Sequence, residues 1–122
     1  MEDQQLNKLF DYTKFHIGIY TTLISGLFAV IAFAHNPAAT WLYLPALTRL
    51  LKVSAVLIIV AGAAAGAIAS NIPEHPTFAS FSISKLKLFG WTTKVPYTWV
   101  VHLEHASFWA AIAVLAVTFL RI

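Results

Sequence analysis

Three stretches almost free of charged residues alternate with short polar segments along the chain, and their lengths set the reading of everything else. No charged residue occurs between positions 15 and 34. A helix of about 20 residues, rising about 1.5 Å per residue, crosses a hydrocarbon core of roughly 30 Å. The pattern therefore predicts a first transmembrane helix over about 15–35. His35, Asn36 and Pro37 end it, because Pro37 cannot continue the backbone ladder and disfavours helical geometry at Asn36. A second span is predicted over about 47–70, from the region of Pro45 to the break at Asn71, Ile72 and Pro73. Arg49 and Lys52 in its first turns can snorkel outward. A third is predicted over about 97–120, opened by Pro96 and closed by Arg121.

Between the second and third spans, residues 71–95 are polar enough to leave the bilayer. Phe78, Phe81, Leu86, Leu88, Phe89 and Trp91 nevertheless keep this segment at the surface. Within it, residues 80–89 fit an interfacial amphipathic helix and a short strand equally, since the apolar spacing matches neither period. Trp41 and Tyr43 suit the headgroup layer between the first two spans. The fold class expected is all-α: one integral membrane domain over 1–122, a three-helix bundle with an interfacial segment between its second and third helices.

Composition narrows the chemistry. A chain of 122 residues that is 59% hydrophobic and 11% charged, with mean hydropathy +0.74, belongs in lipid. It is too small to enclose a wide pore alone, so other membrane subunits or copies of itself are expected partners beside the bilayer. The formal net charge of +3 is spread along the chain, which argues against nucleic acid. Without cysteine, any metal must use His, Glu or Asp. The first residues lack the basic start of a secretory signal, and the apolar run behind them is too long for one, so the N-terminus is expected to be retained. Lys8, Lys14, Lys85, Lys87 and Lys94 fall on one side of the bilayer, and Arg49, Lys52 and Arg121 on the other. That bias predicts a cytoplasmic N-terminus and a C-terminus across the membrane, with a bacterial cytoplasmic membrane as the expected location.

Candidate chemistry lies in one layer. His16 is in the first turn of the first span, His102 and His105 begin the third, and Glu74 and His75 follow the exit of the second. His102 and His105 are three apart, so both can aim at one ligand. The expected cofactor site is haem b between His16 and one of His102 or His105, or a divalent metal held by these residues with His75, Glu74 or Glu104. Glu104, two positions from His102, points away from it and needs a partner, for which Lys14 and Lys94 are candidates. Such histidines can equally be interfacial residues bonded to a neighbouring carbonyl.

Small residues predict packing. Gly62, Gly66 and Ser70 on the second span, and Gly18, Thr22 and Gly26 on the first, form two grooves expected to face each other. Ala106, Ala110 and Ala113 share a face with His102, which predicts that His102 points into protein. Nucleotide-binding loops, a zinc-protease helix and a serine-hydrolase elbow are missing from the sequence. The expected function is a small subunit of a larger membrane complex, with a histidine-lined haem or metal site near the cytoplasmic face. The alternatives are a homo-oligomeric channel or transporter with Glu104 and the histidines along a polar pathway, and a membrane enzyme using the histidine layer.

Overall fold

The computed structural model describes residues 4–34, 45–88 and 91–121. The expected stop at His35, Asn36 and Pro37, the aromatic connection at Trp41 and Tyr43, and Phe89 lie outside them. Three helices are long and apolar enough to cross a membrane: α1 (Gln4–Ala34), α2 (Pro45–Asn71) and α4 (Tyr97–Leu120). Between the last two come a 3-10 turn (Ile72–Glu74), a short helix α3 (Phe78–Ile83) and two antiparallel strands, β1 (Lys85–Leu88) and β2 (Trp91–Pro96). The membrane-embedded architecture is thus a bundle of three helices with a small cap at one end.

α2 occupies the middle of the bundle and packs on both α1 and α4. Its buried positions, Leu51, Ser54, Ala55, Ile58, Ala61, Ala64, Ala65 and Ile68, recur at intervals of three or four, which is one broad face of a helix. α1 answers with a strict seven-residue seam: Leu6, Thr13, Tyr20 and Leu27 are all buried. On α4 the seam is Tyr97, Val100, Glu104, Ser107, Ala111 and Thr118. α1 and α4 meet each other chiefly through long side chains, because α2 lies between them.

The packing face of α2 is alanine, not glycine. Gly66, Gly18 and Gly26 have open space where a Cβ would stand, and a Cβ on Gly62 would make only an ordinary 3.9 Å contact with the Cβ of Tyr20. The two glycine stripes therefore do not face each other as expected. Ala61 and Ala65 are fully buried and bring the helices together instead. Ala106, Ala110 and Ala113 are exposed too, since the seam of α4 is fixed by Tyr97, Val100, Ser107 and Ala111 on another face.

One buried hydroxyl in each span is satisfied by its own helix. Thr13 donates to the Leu9 carbonyl at 2.7 Å, Ser54 to Leu50 at 3.1 Å and Thr118 to Val114 at 2.8 Å. In lipid no water can take these bonds, so the backbone must.

The interfacial segment uses both of the structures its sequence allows. Thr77 caps α3, accepting from the Ser80 amide at 3.1 Å, and extended backbone at Ser84 ends the helix. The alternation Lys85, Leu86, Lys87, Leu88 then favours a strand with Leu86 toward the core. The cap is tied to α4 at several points: the Tyr97 amide donates to the Ser84 carbonyl at 3.0 Å, Thr98 donates to the Ser82 carbonyl at 2.9 Å, and Phe81 stacks on Tyr97 at 4.7 Å. α1 starts well ahead of the lipid entry expected near residue 15 because Leu6, Leu9 and Phe10 pack on this cap.

Two substitutions separate the alanine face from the glycine stripe. Ala65→Leu is expected to destabilise the bundle by about 1–3 kcal/mol through overpacking. Gly66→Leu should stay within about 0.5 kcal/mol of the parent. Thermal unfolding of the two variants in the same detergent checks the contrast; equal losses would mean that α2 packs on a different face.

Candidate functional site

Among the described residues Glu104 is the buried acidic one, and the seam of α4 puts it against α1 rather than toward lipid. Its side chain is 1% exposed. A carboxylate at that depth needs donors from protein, and two come from α1. The Tyr20 hydroxyl donates to Glu104 Oε1 at 2.8 Å, and His16 Nδ1 stands 2.7 Å from the same oxygen. His16 and Tyr20 are one helical turn apart, so both reach one point on the facing helix. Lys14 and Lys94, the partners expected from sequence, are not used here; Lys14 places its Nζ over the Phe10 ring at 5.1 Å.

His105 completes the group from α4 itself. Its Nδ1 donates to the Val101 carbonyl one turn back at 2.8 Å, and its ring meets the His16 ring edge to face with centroids 5.6 Å apart. Phe108 stacks on His16 and tilts against Tyr20, closing the cluster on the side away from the cap. Each of His16, Glu104 and His105 offers a ligand atom within 4.8 Å of the other two.

Tautomers follow from these bonds. Oε1 of an ionised Glu104 can only accept, so His16 Nδ1 carries a hydrogen toward it. The Val101 carbonyl fixes the same nitrogen of His105 as a donor. A ring with its hydrogen on Nδ1 alone holds its lone pair on Nε2, the arrangement in which an imidazole bonded through one nitrogen can ligate with the other.

The other sequence candidates lie elsewhere. His102 is exposed and its ring neighbours Trp99, because the Ala106, Ala110 and Ala113 face it shares is turned outward. Glu74 is an exposed partner of Lys87, 3.8 Å away. His75 sits in the cap between the Ser80 and Ser84 hydroxyls, at 3.2 and 3.4 Å. Neither Glu74 nor His75 joins the His16 group. Haem b does not fit: bis-imidazole ligation needs two rings on opposite faces of a wide macrocycle, whereas His16 and His105 touch and Phe108 fills the adjoining space. Sequence reasoning missed Tyr20 as a member of the site. Its signal was available in the seven-residue repeat of Leu6, Thr13, Tyr20 and Leu27, which places a phenol on the buried seam.

The chain matches no protein-family model, no curated protein and no solved structure.

Tyr20→Phe tests the hydrogen bond. Loss of one interhelical donor inside a membrane bundle is expected to cost about 0.6–1.7 kcal/mol. Tyr12→Phe, on the exposed face of the same helix, should cost nothing measurable. Unfolding in detergent compares them, and indistinguishable stabilities would remove Tyr20 from the clasp.

Proposed function

We propose that this protein is a small polytopic membrane subunit that holds a first-row divalent cation between its first and third membrane helices, on His16, Glu104 and His105. The observation that carries the reading is the convergence of two imidazoles and one carboxylate from different helices, with ligand atoms within 4.8 Å. Two nitrogens and one oxygen suit zinc or a neighbouring transition metal, whereas magnesium and calcium call for oxygen ligands. Around a zinc ion at about 2.0–2.1 Å, ligand atoms stand roughly 3.3 Å apart, so the three side chains must draw in slightly on binding. Three protein ligands leave a coordination position for water or a transported or reacting group.

Tyr20 serves as a positioning residue, holding the carboxylate while the ion is absent. Ligands enter deprotonated, so uptake of the ion releases protons and acidification releases the ion. A channel or transporter reading uses the same residues, but a polar pathway would wet Glu104, and at 1% exposure it is sealed by Tyr20 and its neighbours. Membership of a larger assembly, or self-association, is supported by the small exposed stripe of Gly18, Thr22 and Gly26 on α1.

Cobalt(II) titration of the purified protein reads the site directly through the visible bands of the bound ion. One equivalent should bind, Glu104→Gln and His105→Ala should each weaken binding by about tenfold or more, and His102→Ala should leave it unchanged. Absence of stoichiometric binding, or equal damage from His102→Ala, would overturn the assignment.

Orientation forms part of the same reading, with the N-terminus cytoplasmic. A Gln4→Cys variant places a thiol on an exposed position at the start of α1. It should react with an impermeant maleimide only after cells are opened, and labelling of intact cells would reverse the topology.

A further inference from the structure

The cation site leaves unused the most unusual surface of the molecule, the hairpin of β1 and β2. Its exposed apolar residues are large: Trp91 is 79% exposed and Ile83, just before β1, 75%. Leu88, paired across the hairpin with Trp91, and Val95 are exposed as well. Interspersed with them are Lys85, Lys87 and Lys94, all exposed. β1 divides these characters by its pleat, with Leu86 packed toward Phe81 and Tyr97 while Lys85 and Lys87 take the opposite face.

Position says what such a surface meets. β2 runs directly into Tyr97, the first residue of α4, so the end of the hairpin adjoins the point where a span begins. It is tied there by a hydrogen bond from the Lys87 amide to the Tyr97 hydroxyl at 3.3 Å and by the contacts of Tyr97 and Thr98 with α3. A hairpin fixed at this height is in reach of the headgroup layer. Charge says which headgroups. Lys8 and Lys14 of α1 belong to the same end of the bundle as the three hairpin lysines, and the described acidic groups exposed there are Asp11 and Glu74. Glu74 engages Lys87 only loosely, at 3.8 Å.

We infer that the β1–β2 hairpin is a binding surface for anionic phospholipid, with Lys85, Lys87 and Lys94 on the lipid phosphates and Trp91, Leu88 and Ile83 seated among the upper acyl chains. The two parts act together. A tryptophan at the boundary fixes depth, since its ring tolerates both sides of the interface, and the lysines then select headgroups by charge. Lysines that alternate with apolar residues along the strands, on long side chains, fit a lipid surface, where both environments lie a few ångströms apart, better than a protein interface with an apolar centre and a polar rim. The inference stands independently of the cation site, which shares no residue with it.

The test uses the full chain with Trp41→Phe, Trp99→Phe and Trp109→Phe, leaving Trp91 as the sole tryptophan. The protein is reconstituted in phosphatidylcholine vesicles containing a minor fraction of either dibrominated phosphatidylglycerol or dibrominated phosphatidylcholine. Trp91 fluorescence should be quenched by both, and roughly threefold or more efficiently by the brominated phosphatidylglycerol at equal mole fraction. High salt should erase that preference, and so should the Lys85→Gln, Lys87→Gln, Lys94→Gln triple variant, with quenching by phosphatidylcholine retained. Equal quenching by the two lipids would overturn the charge selection. A preference retained in the triple variant would move it to other cations. No quenching by either lipid would show that the hairpin stands clear of the bilayer or is covered by a protein partner, and would overturn the proposal outright.

Discussion

A single carboxylate buried between helices governs how this bundle closes. Glu104 lies on the packing seam of α4, where an aliphatic residue would otherwise sit between Val100 and Ser107. Hydrocarbon offers it no partner, so a polar group at that depth has to be satisfied by protein. The donors must therefore come from α1, and they must come as a pair at one height. His16 and Tyr20 meet that demand from adjacent turns of the helix. Burial of Glu104 thus fixes both the rotation of α4 and the axial register of α1 against it.

That constraint explains the division of labour among the helices. α2, with alanines at its points of closest approach, lets both neighbours lie tightly against it and sets their separation. At that separation the backbones of α1 and α4 do not pack on each other, and only long side chains cross the gap. Dispersion contacts hold each outer helix to α2, while the polar clasp and the Phe108 ring decide how the outer helices face one another. In lipid, where apolar association has no water-driven preference for one rotation over another, a hydrogen-bonded clasp specifies geometry as much as it adds stability.

The spans were legible in the sequence because charge-free runs of about 20 residues have few other meanings. The shared height of His16 and His105 was legible too, since it follows from counting turns in two helices that enter from one end. Rotation was harder to read. Small residues suggest close approach, and both the glycine stripes and the Ala106, Ala110, Ala113 face looked like interfaces, yet these alanines, Gly18, Gly26 and Gly66 are exposed, and Gly62 is half-buried at an ordinary contact with Tyr20. The spacing of Tyr97, Val100, Glu104, Ser107 and Ala111 competes with them and includes an ionisable residue, which hydrophobic pattern-reading places outside a core. In a membrane that inference inverts: the polar residue is the one that must face protein. Read by that rule, Glu104 would have turned His102 outward. The cap was ambiguous for a different reason, because residues 80–89 change structure at Ser84 and no single period describes them.

The clasp and the proposed cation site draw on the same side chains, so both readings concern one geometry. Hydrogens from Tyr20 and His16 are directed at Glu104 Oε1; under the proposed reading a bound ion would take the place of the His16 hydrogen. The Val101 carbonyl leaves Nε2 of His105 as its lone-pair atom and would orient that ring as a ligand, whereas the His16–Glu104 hydrogen bond would have to give way to an ion. His16 comes from α1, and Glu104 and His105 from α4, so an ion held by them would tie together two helices that otherwise meet through side chains while each packs on α2.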